Sequence, residues 1–244
     1  MSYLLNVIRI PIILIWTAIC AVLAFMILLF TFSTDRVLKI VPNILWSPFV
    51  FAVSGSRLLV KGKENIVRDS YNIYVSNHCS QFDIPATVGA IDIPLYFMLK
   101  KELKKVPFLG WYAAALGMVF VDRKNRKEAQ KNIIQAGELI RNGKNVLVYP
   151  EGTRSEDGEV RLFRKGAFNI AKQAKVGIVP FAIEGTQALL PKGGFVLRPA
   201  RVMVNIGPVV TYEEMKDMDE IAMADHLKNK VIELKEEAKY LLKK

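Results

Sequence analysis

The chain has 244 residues, 52% of them hydrophobic, and a formal net charge of +11. That length suffices for one sizeable core plus an appendage, and the hydrophobic share exceeds the roughly 45–50% usual in soluble domains. The positive balance implies an anionic partner. There is no zinc-finger spacing, no aromatic RNA-binding strand and no disordered basic arm, which argues against nucleic acid and leaves an anionic membrane surface or anionic substrates. Of two cysteines, Cys20 lies in an apolar run and Cys79 beside His78, so neither a disulfide nor a metal site is expected.

From Ile10 to Thr34 no residue is charged. As a helix this run of about 25 residues would measure roughly 37 Å, enough to cross a bilayer core of about 30 Å. In the apolar stretch that follows, Pro42 and Pro48 are interruptions, and Arg36, Lys39 and Arg57 bring basic charge. Residues 1–56 therefore read as a membrane-anchoring module, either one spanning helix with an interfacial one or a two-helix hairpin dipping into a single leaflet. Basic residues are denser after the run than before it, so the positive-inside rule puts residues 57–244, the main domain, on the cytoplasmic side of the inner membrane.

Beyond this module, short β-rich runs alternate with helical patterns. Strands are expected at 56–62, 72–77, 94–99, 117–122, 145–150, 177–183 and 201–207, several of them unbroken apolar runs that suit burial on both faces. Helical patterns occupy 126–143, closed by Gly143, and 165–175, closed by Gly177, with a long charged helix from Tyr212 to the end. The alternation predicts an α/β fold with a mixed, largely parallel sheet of about seven strands flanked by helices.

Polar motifs follow the buried strands, where open α/β sheets place their ligands. His78 comes after "IYVSN", with Asp83 five positions later. A neutral imidazole can take a proton from a hydroxyl near neutral pH, and a carboxylate on its other nitrogen would set the tautomer. The alternative is a packed histidine with Asp83 merely opening a helix at "IPATVGA". Cys79 is poorly placed as a nucleophile, since residues adjacent in sequence point apart, and Ser80 reads as a helix N-cap or turn hydroxyl. His226 reads as a surface residue. In "YPEGTRSEDGEVRLFRKGAF", Gly152 lets the backbone approach a ligand and Arg154 offers a donor fork for a phosphate, while Arg164 and Lys165 open a helix. Arg123 follows another strand, and Lys100, Lys101, Lys104 and Lys105 form a basic cluster of which one could face the crevice.

In order along the chain, "NHCSQFD", "GMVFVDR", "YPEGTRS" and "IVPFAI" resemble the four motif blocks of the glycerolipid acyltransferase family, and "KKELKKVPFLGW" is similar to its segment between the first two. The departures, Tyr149 where Phe is common and Val121 where Ile is common, leave the chemistry untouched. The resemblance implies transfer of a fatty acyl group from a thioester to the sn-2 hydroxyl of lysophosphatidate, with His78 as general base and Asp83 orienting it. It also implies glycerol phosphate binding by Arg123, Glu151, Gly152, Thr153 and Arg154, with Lys100, Lys101 and Lys165 as further candidates. Val179 and Pro180 would shape the acyl or acceptor pocket. Acyl-carrier protein or coenzyme A would carry the acyl group, and no metal or resident cofactor is expected. Siblings in such a family use other lysophospholipids or glycerol 3-phosphate, and a non-catalytic lipid-binding protein is a more distant alternative.

Overall fold

The computed structural model describes residues 2–68, 70–122 and 126–244. All seven expected strands form: β1 (Arg57–Lys61), β2 (Ile73–Val75), β3 (Leu95–Lys100), β4 (Val119–Val121), β5 (Asn145–Val148), β6 (Ile178–Glu184) and β7 (Arg201–Ile206). They make one sheet in the order β1-β7-β6-β2-β5-β3-β4. From β6 to β4 the neighbours are parallel, whereas β7 runs antiparallel to β6 and carries β1 parallel to itself. Val75 lies opposite both Val148 and Pro180, and Lys100 lies opposite Val121. The C-terminal ends of β2, β5, β3 and β4 therefore line one edge, about 4.8 Å apart from strand to strand.

Pro180 is tolerated inside β6 because β7 bulges away there. It lies between the Phe181–Ile206 pair and an Ile178–Val210 bridge, and its carbonyl accepts from Gly207 N at 2.9 Å.

Helices cover both faces, which is why the strands read as continuous apolar runs. On one side Tyr74, Leu147, Val179, Phe181 and Val204 pack in one core with residues of α1 (Ser2–Thr31), α2 (Thr34–Ile40), α3 (Ser47–Ser54), α4 (Asp83–Ala90) and α5 (Leu109–Ala115). On the other, Ile73, Val75 and Val146 meet α6 (Arg126–Arg141), α7 (Gly166–Ala174) and two C-terminal helices. A short helix α8 (Thr186–Leu189) follows β6. The C-terminal region, expected as one helix, divides into α9 (Tyr212–Met215) and α10 (Glu220–Lys243), because Asp219 accepts from the N–H groups of Ile221 and Ala222 and so caps a new start.

The N-terminal helices are fused to this body. Cys20, Ala24, Val37, Leu38 and Phe51 share the core of the sheet's first face. At the start of α1, the Asn6 side chain donates to Leu197 O (3.1 Å) and accepts from Leu197 N (2.9 Å). At its far end Thr34 hydrogen-bonds Tyr96 at 2.5 Å, and Asp35 holds both Tyr96 and Lys144. Pro42 and Pro48 do not break the second segment. A π-helical turn (Val41–Trp46) bridges α2 and α3, and each proline sits in the first turn of the piece it opens, where its missing N–H is not needed.

α3 and α4 approach closely at a glycine. Ser47 donates to Pro85 O at 2.7 Å, and a Cβ on Gly89 would lie 2.2 Å from Ser47 Oγ and 2.8 Å from Leu58 Cδ2. Overpacking such a contact costs about 1–3 kcal/mol. Gly89→Val is expected to lower the midpoint of a thermal melt in detergent by several degrees, whereas Gly137→Ala, inside α6 with an arginine side chain at 3.4 Å as nearest neighbour, is expected to raise it by a degree or two.

Candidate active site

The β2 strand ends at Val75, and the seven residues before α4 form a turn that the surrounding chain grips at several points. The Asn77 side chain behaves as an extra strand residue. It donates to Ile183 O and accepts from Ile183 N, both at 2.9 Å, tying the turn to β6. The backbone of His78 is held by the loop after β5, with its N–H donating to Glu151 Oε1 (2.8 Å) and its carbonyl accepting from Ser155 N (2.8 Å). The imidazole stacks on Tyr149, with centroids 4.3 Å apart. The Tyr149 hydroxyl meets Thr87 at 2.9 Å and donates to the Asp83 carbonyl at 3.3 Å.

Asp83 opens α4 and is fully buried. Its Oδ2 accepts from His78 Nδ1 (2.7 Å), Cys79 N (2.7 Å) and Ser80 N (2.9 Å), and its Oδ1 from the Thr186 hydroxyl (2.5 Å). A carboxylate on Nδ1 requires the imidazole proton there, which leaves the lone pair on Nε2. That nitrogen has no partner among the described residues, and the His78 side chain is 18% exposed, so it is open to a ligand at the edge of the sheet. The pair can thus accept a proton at Nε2 and stabilise the imidazolium that results.

The neighbouring groups are tuned by burial. Desolvation, and next the Asp83 charge, push the Cys79 thiol up to about 12, so the sulfur is a protonated bystander rather than a nucleophile. Tyr149 is raised for the same two reasons in the same order. Burial lifts the Glu151 carboxyl from 4.5 to about 7, with the His78 N–H pulling it back.

The other sequence candidates divide. Gly152, at φ +74°, turns the loop so that Arg164 packs across it, with Nε 2.9 Å from where a Cβ would be. Thr153 is exposed and Arg154 half-buried, two and three residues from Glu151 on the same loop, and the Arg154 guanidinium has no ion-pair partner among the described residues. Lys100 and Lys101 lie at the same sheet edge but pair with Glu102 (3.3 Å) and Asp122 (3.2 Å). Lys165 is exposed just before α7. Val179 and Pro180 pair with Tyr74 and Val75 inside the sheet, Val179 in the core and Pro180 in a groove beside α10 with Gly207 and Leu234. Arg123 lies outside the described residues.

Residues 57–184 match the family described as Acyltransferase, more than half of the chain. The chain belongs to the acyltransferase family. Among its relatives, the 1-acyl-sn-glycerol-3-phosphate acyltransferase of Saccharomyces cerevisiae is 39% identical over 168 residues, covering 67% of this chain and 55% of that protein. The enzyme of the same name from Pseudomonas aeruginosa is 35% identical, covering 66% and 62%. This family member thus spans little more than half the length of the yeast relative. Across the whole fold it superposes on the crystal structure of the 1-acyl-sn-glycerophosphate (LPA) acyltransferase PlsC from Thermotoga maritima, with a TM-score of 0.78, 30% identity and coverage of 96% of this chain and 95% of that one.

Sequence reasoning passed over Thr186 and the grip of Ser155 on His78, because both contacts join segments distant in sequence and neither residue interrupts a pattern. Glu151 offers a test of the His78 clamp. The folded carboxyl takes up its proton near pH 7 and the unfolded one near 4.5, so the folded state holds the extra proton in that window and stability falls as pH rises through it. Glu151→Gln keeps an acceptor for the His78 N–H and removes the charge. Its melting temperature is expected to change less than the wild type's between about pH 5 and about pH 8, whereas Glu151→Ala strands a buried N–H and costs about 1–3 kcal/mol at any pH.

Proposed function

We propose that this family member transfers a fatty acyl group from an acyl thioester to the sn-2 hydroxyl of lysophosphatidate, forming phosphatidate. The carrying observation is the His78–Asp83 pair, with Nδ1 held by a buried carboxylate and Nε2 free. The names of its relatives supply the substrate. Nε2 removes the proton as the hydroxyl oxygen attacks the thioester carbonyl. The tetrahedral intermediate collapses with cleavage of the carbon–sulfur bond, and the imidazolium returns its proton to the departing thiolate. Asp83 stabilises the imidazolium between these events. Direct attack needs no acyl-enzyme, in keeping with the raised Cys79 thiol, and no metal or resident cofactor. Arg154 is the residue best suited to the acceptor phosphate, with Gly152 and Thr153 on its loop, Arg123 after β4 and Lys165 nearby as further contacts. Val179 and Pro180 act at a distance from the reacting atoms, by setting β6. The thioester is carried by acyl-carrier protein or coenzyme A.

The N-terminal helices support a membrane location, and the basic residues that follow the apolar run favour the cytoplasmic side. Leu5–Thr31 and Thr34–Ser54 are long and apolar enough to cross a bilayer, and α1 exposes Leu14, Val22, Phe25 and Phe30. Yet α1 is fastened at Asn6 and again just beyond its end at Thr34 to the same sheet body. A helix with its two ends on opposite sides of a bilayer could not keep both contacts, so the single-leaflet arrangement is favoured, with residues 57–244 as the catalytic domain above it.

Two experiments test this reading. Detergent-purified protein is offered lysophosphatidate, glycerol 3-phosphate or lysophosphatidylcholine with either labelled thioester. Phosphatidate is expected from lysophosphatidate, and His78→Ala is expected to lower its rate by about 10²–10⁴-fold. Product from another acceptor alone would change the substrate, and equal rates in the variant would overturn the role of His78. In flotation assays with anionic vesicles, Val22→Lys with Phe25→Lys is expected to weaken binding at least tenfold, since each lysine puts charge into an apolar contact. Undiminished binding would remove α1 from the membrane contact.

A further inference from the structure

The segment from Ile183 to Leu190 reaches back to the His78 turn at three places. Ile183 pairs with the Asn77 amide, Thr186 donates to Asp83 Oδ1, and the Leu190 carbonyl accepts from Ser80 Oγ at 2.7 Å. The middle link is the one that touches the reacting pair. Thr186 is fully buried and opens α8, the turn being made by Gly185 at φ +92°, where a Cβ would lie 2.2 Å from Arg201 O. Only glycine brings the chain inward there, and the residue it delivers is a hydroxyl. The stretch matched by the family stops at 184, two residues before it.

Asp83 has two oxygens in unequal settings. Oδ2 is crowded by three N–H donors, His78 Nδ1 among them, whereas Oδ1 has the Thr186 hydroxyl at 2.5 Å and otherwise only Cys79 Sγ, at 3.9 Å. A hydroxyl owns a single proton, which goes to the strongest acceptor in reach. For Thr186 that is the Asp83 carboxylate, so Cys79 Sγ, 3.3 Å from Oγ1, is left to donate to the hydroxyl.

We propose that Thr186 is a positioning residue for the His78–Asp83 pair: its hydroxyl, backed by Cys79 Sγ, holds Asp83 Oδ1 so that Oδ2 stays aligned on His78 Nδ1. It acts through Asp83 and touches no reacting atom. Without it, one oxygen of a fully buried carboxylate has no strong donor, the group turns towards whatever donor remains, and the imidazole loses its alignment. The charged and titratable groups around the pair are Glu151 from the loop after β5, Tyr149 stacked on the ring, Cys79 on the same turn, and Glu184 with Lys235 from β6 and α10.

The proposal rests on the acyl-transfer reading for its catalytic consequence, so its test has one arm that needs no turnover. The chain contains two histidines, His78 and His226. In full-length protein labelled with nitrogen-15 at histidine, His226→Gln assigns the Nδ1–H proton of His78 directly. Thr186→Val, close in shape and lacking the hydroxyl, is expected to shift or broaden that resonance and to lower kcat about tenfold or more, with KM within about twofold. Thr186→Ser is expected to restore most of both. An unchanged resonance, an unchanged kcat, a loss confined to KM, or no rescue by serine would each overturn the assignment. If the wild type transfers no acyl group, the proposed function fails while the resonance still decides whether Thr186 orients the pair. Should Thr186→Val not fold, Cys79→Ala removes the group that backs the hydroxyl and is read in the same two ways, with smaller changes of the same sign.

Discussion

A carboxylate with no exposure to water must be solvated by the protein, and much of this molecule's arrangement around the His78 turn follows from that demand at Asp83. Four donors meet it: the backbone N–H groups of Cys79 and Ser80, the His78 imidazole and a hydroxyl from beyond β6. Three of these are local and come with the turn itself. The fourth requires β2 and β6 to be neighbours. The parallel pairing of Val75 with Pro180 and the Asn77 bridge to Ile183 provide this. The sheet topology is thus a precondition for the charge, and the charge in turn gives the turn a single stable shape.

The same edge gathers chemistry from strands distant in sequence. β5 lies beside β2 and contributes Tyr149, Glu151 and Ser155 to the setting of one residue, His78. Glu151 therefore acts first on the protein, through the His78 N–H, and its near-neutral carboxyl keeps a full negative charge away from a crevice proposed to receive a phosphate. The basic residues are left for that task, Arg154 in particular.

Much of this could be read from the residues alone, for physical reasons. Strands covered on both faces must be apolar throughout, so all seven announced themselves as short unbroken runs. The pairing of His78 with Asp83 was visible because both partners belong to one turn. Tertiary contacts were not legible in the same way. Nothing local marks Asn6 as the clasp between α1 and Leu197, or Thr186 as the donor to Asp83, since each depends on a residue more than a hundred positions away. The prolines misled for a different reason. Pro42 and Pro48 read as interruptions, but a π-helical turn placed each in the first turn of a new segment. Asp219 had the opposite effect, dividing a pattern that looked continuous by capping its own helix.

The double fastening of α1 has a consequence for motion. A domain hung from one end of a helix can swing like a weight on a cord, and its crevice would sample every angle to the surface below. Here the apolar rod is riveted along its length to the body it supports. Seated on lipid as proposed, the molecule keeps three freedoms only, two of drift within the plane and one of spin about the normal. Its encounter with the proposed lipid acceptor then becomes a search on a sheet, with the height and tilt of the crevice set once, at folding.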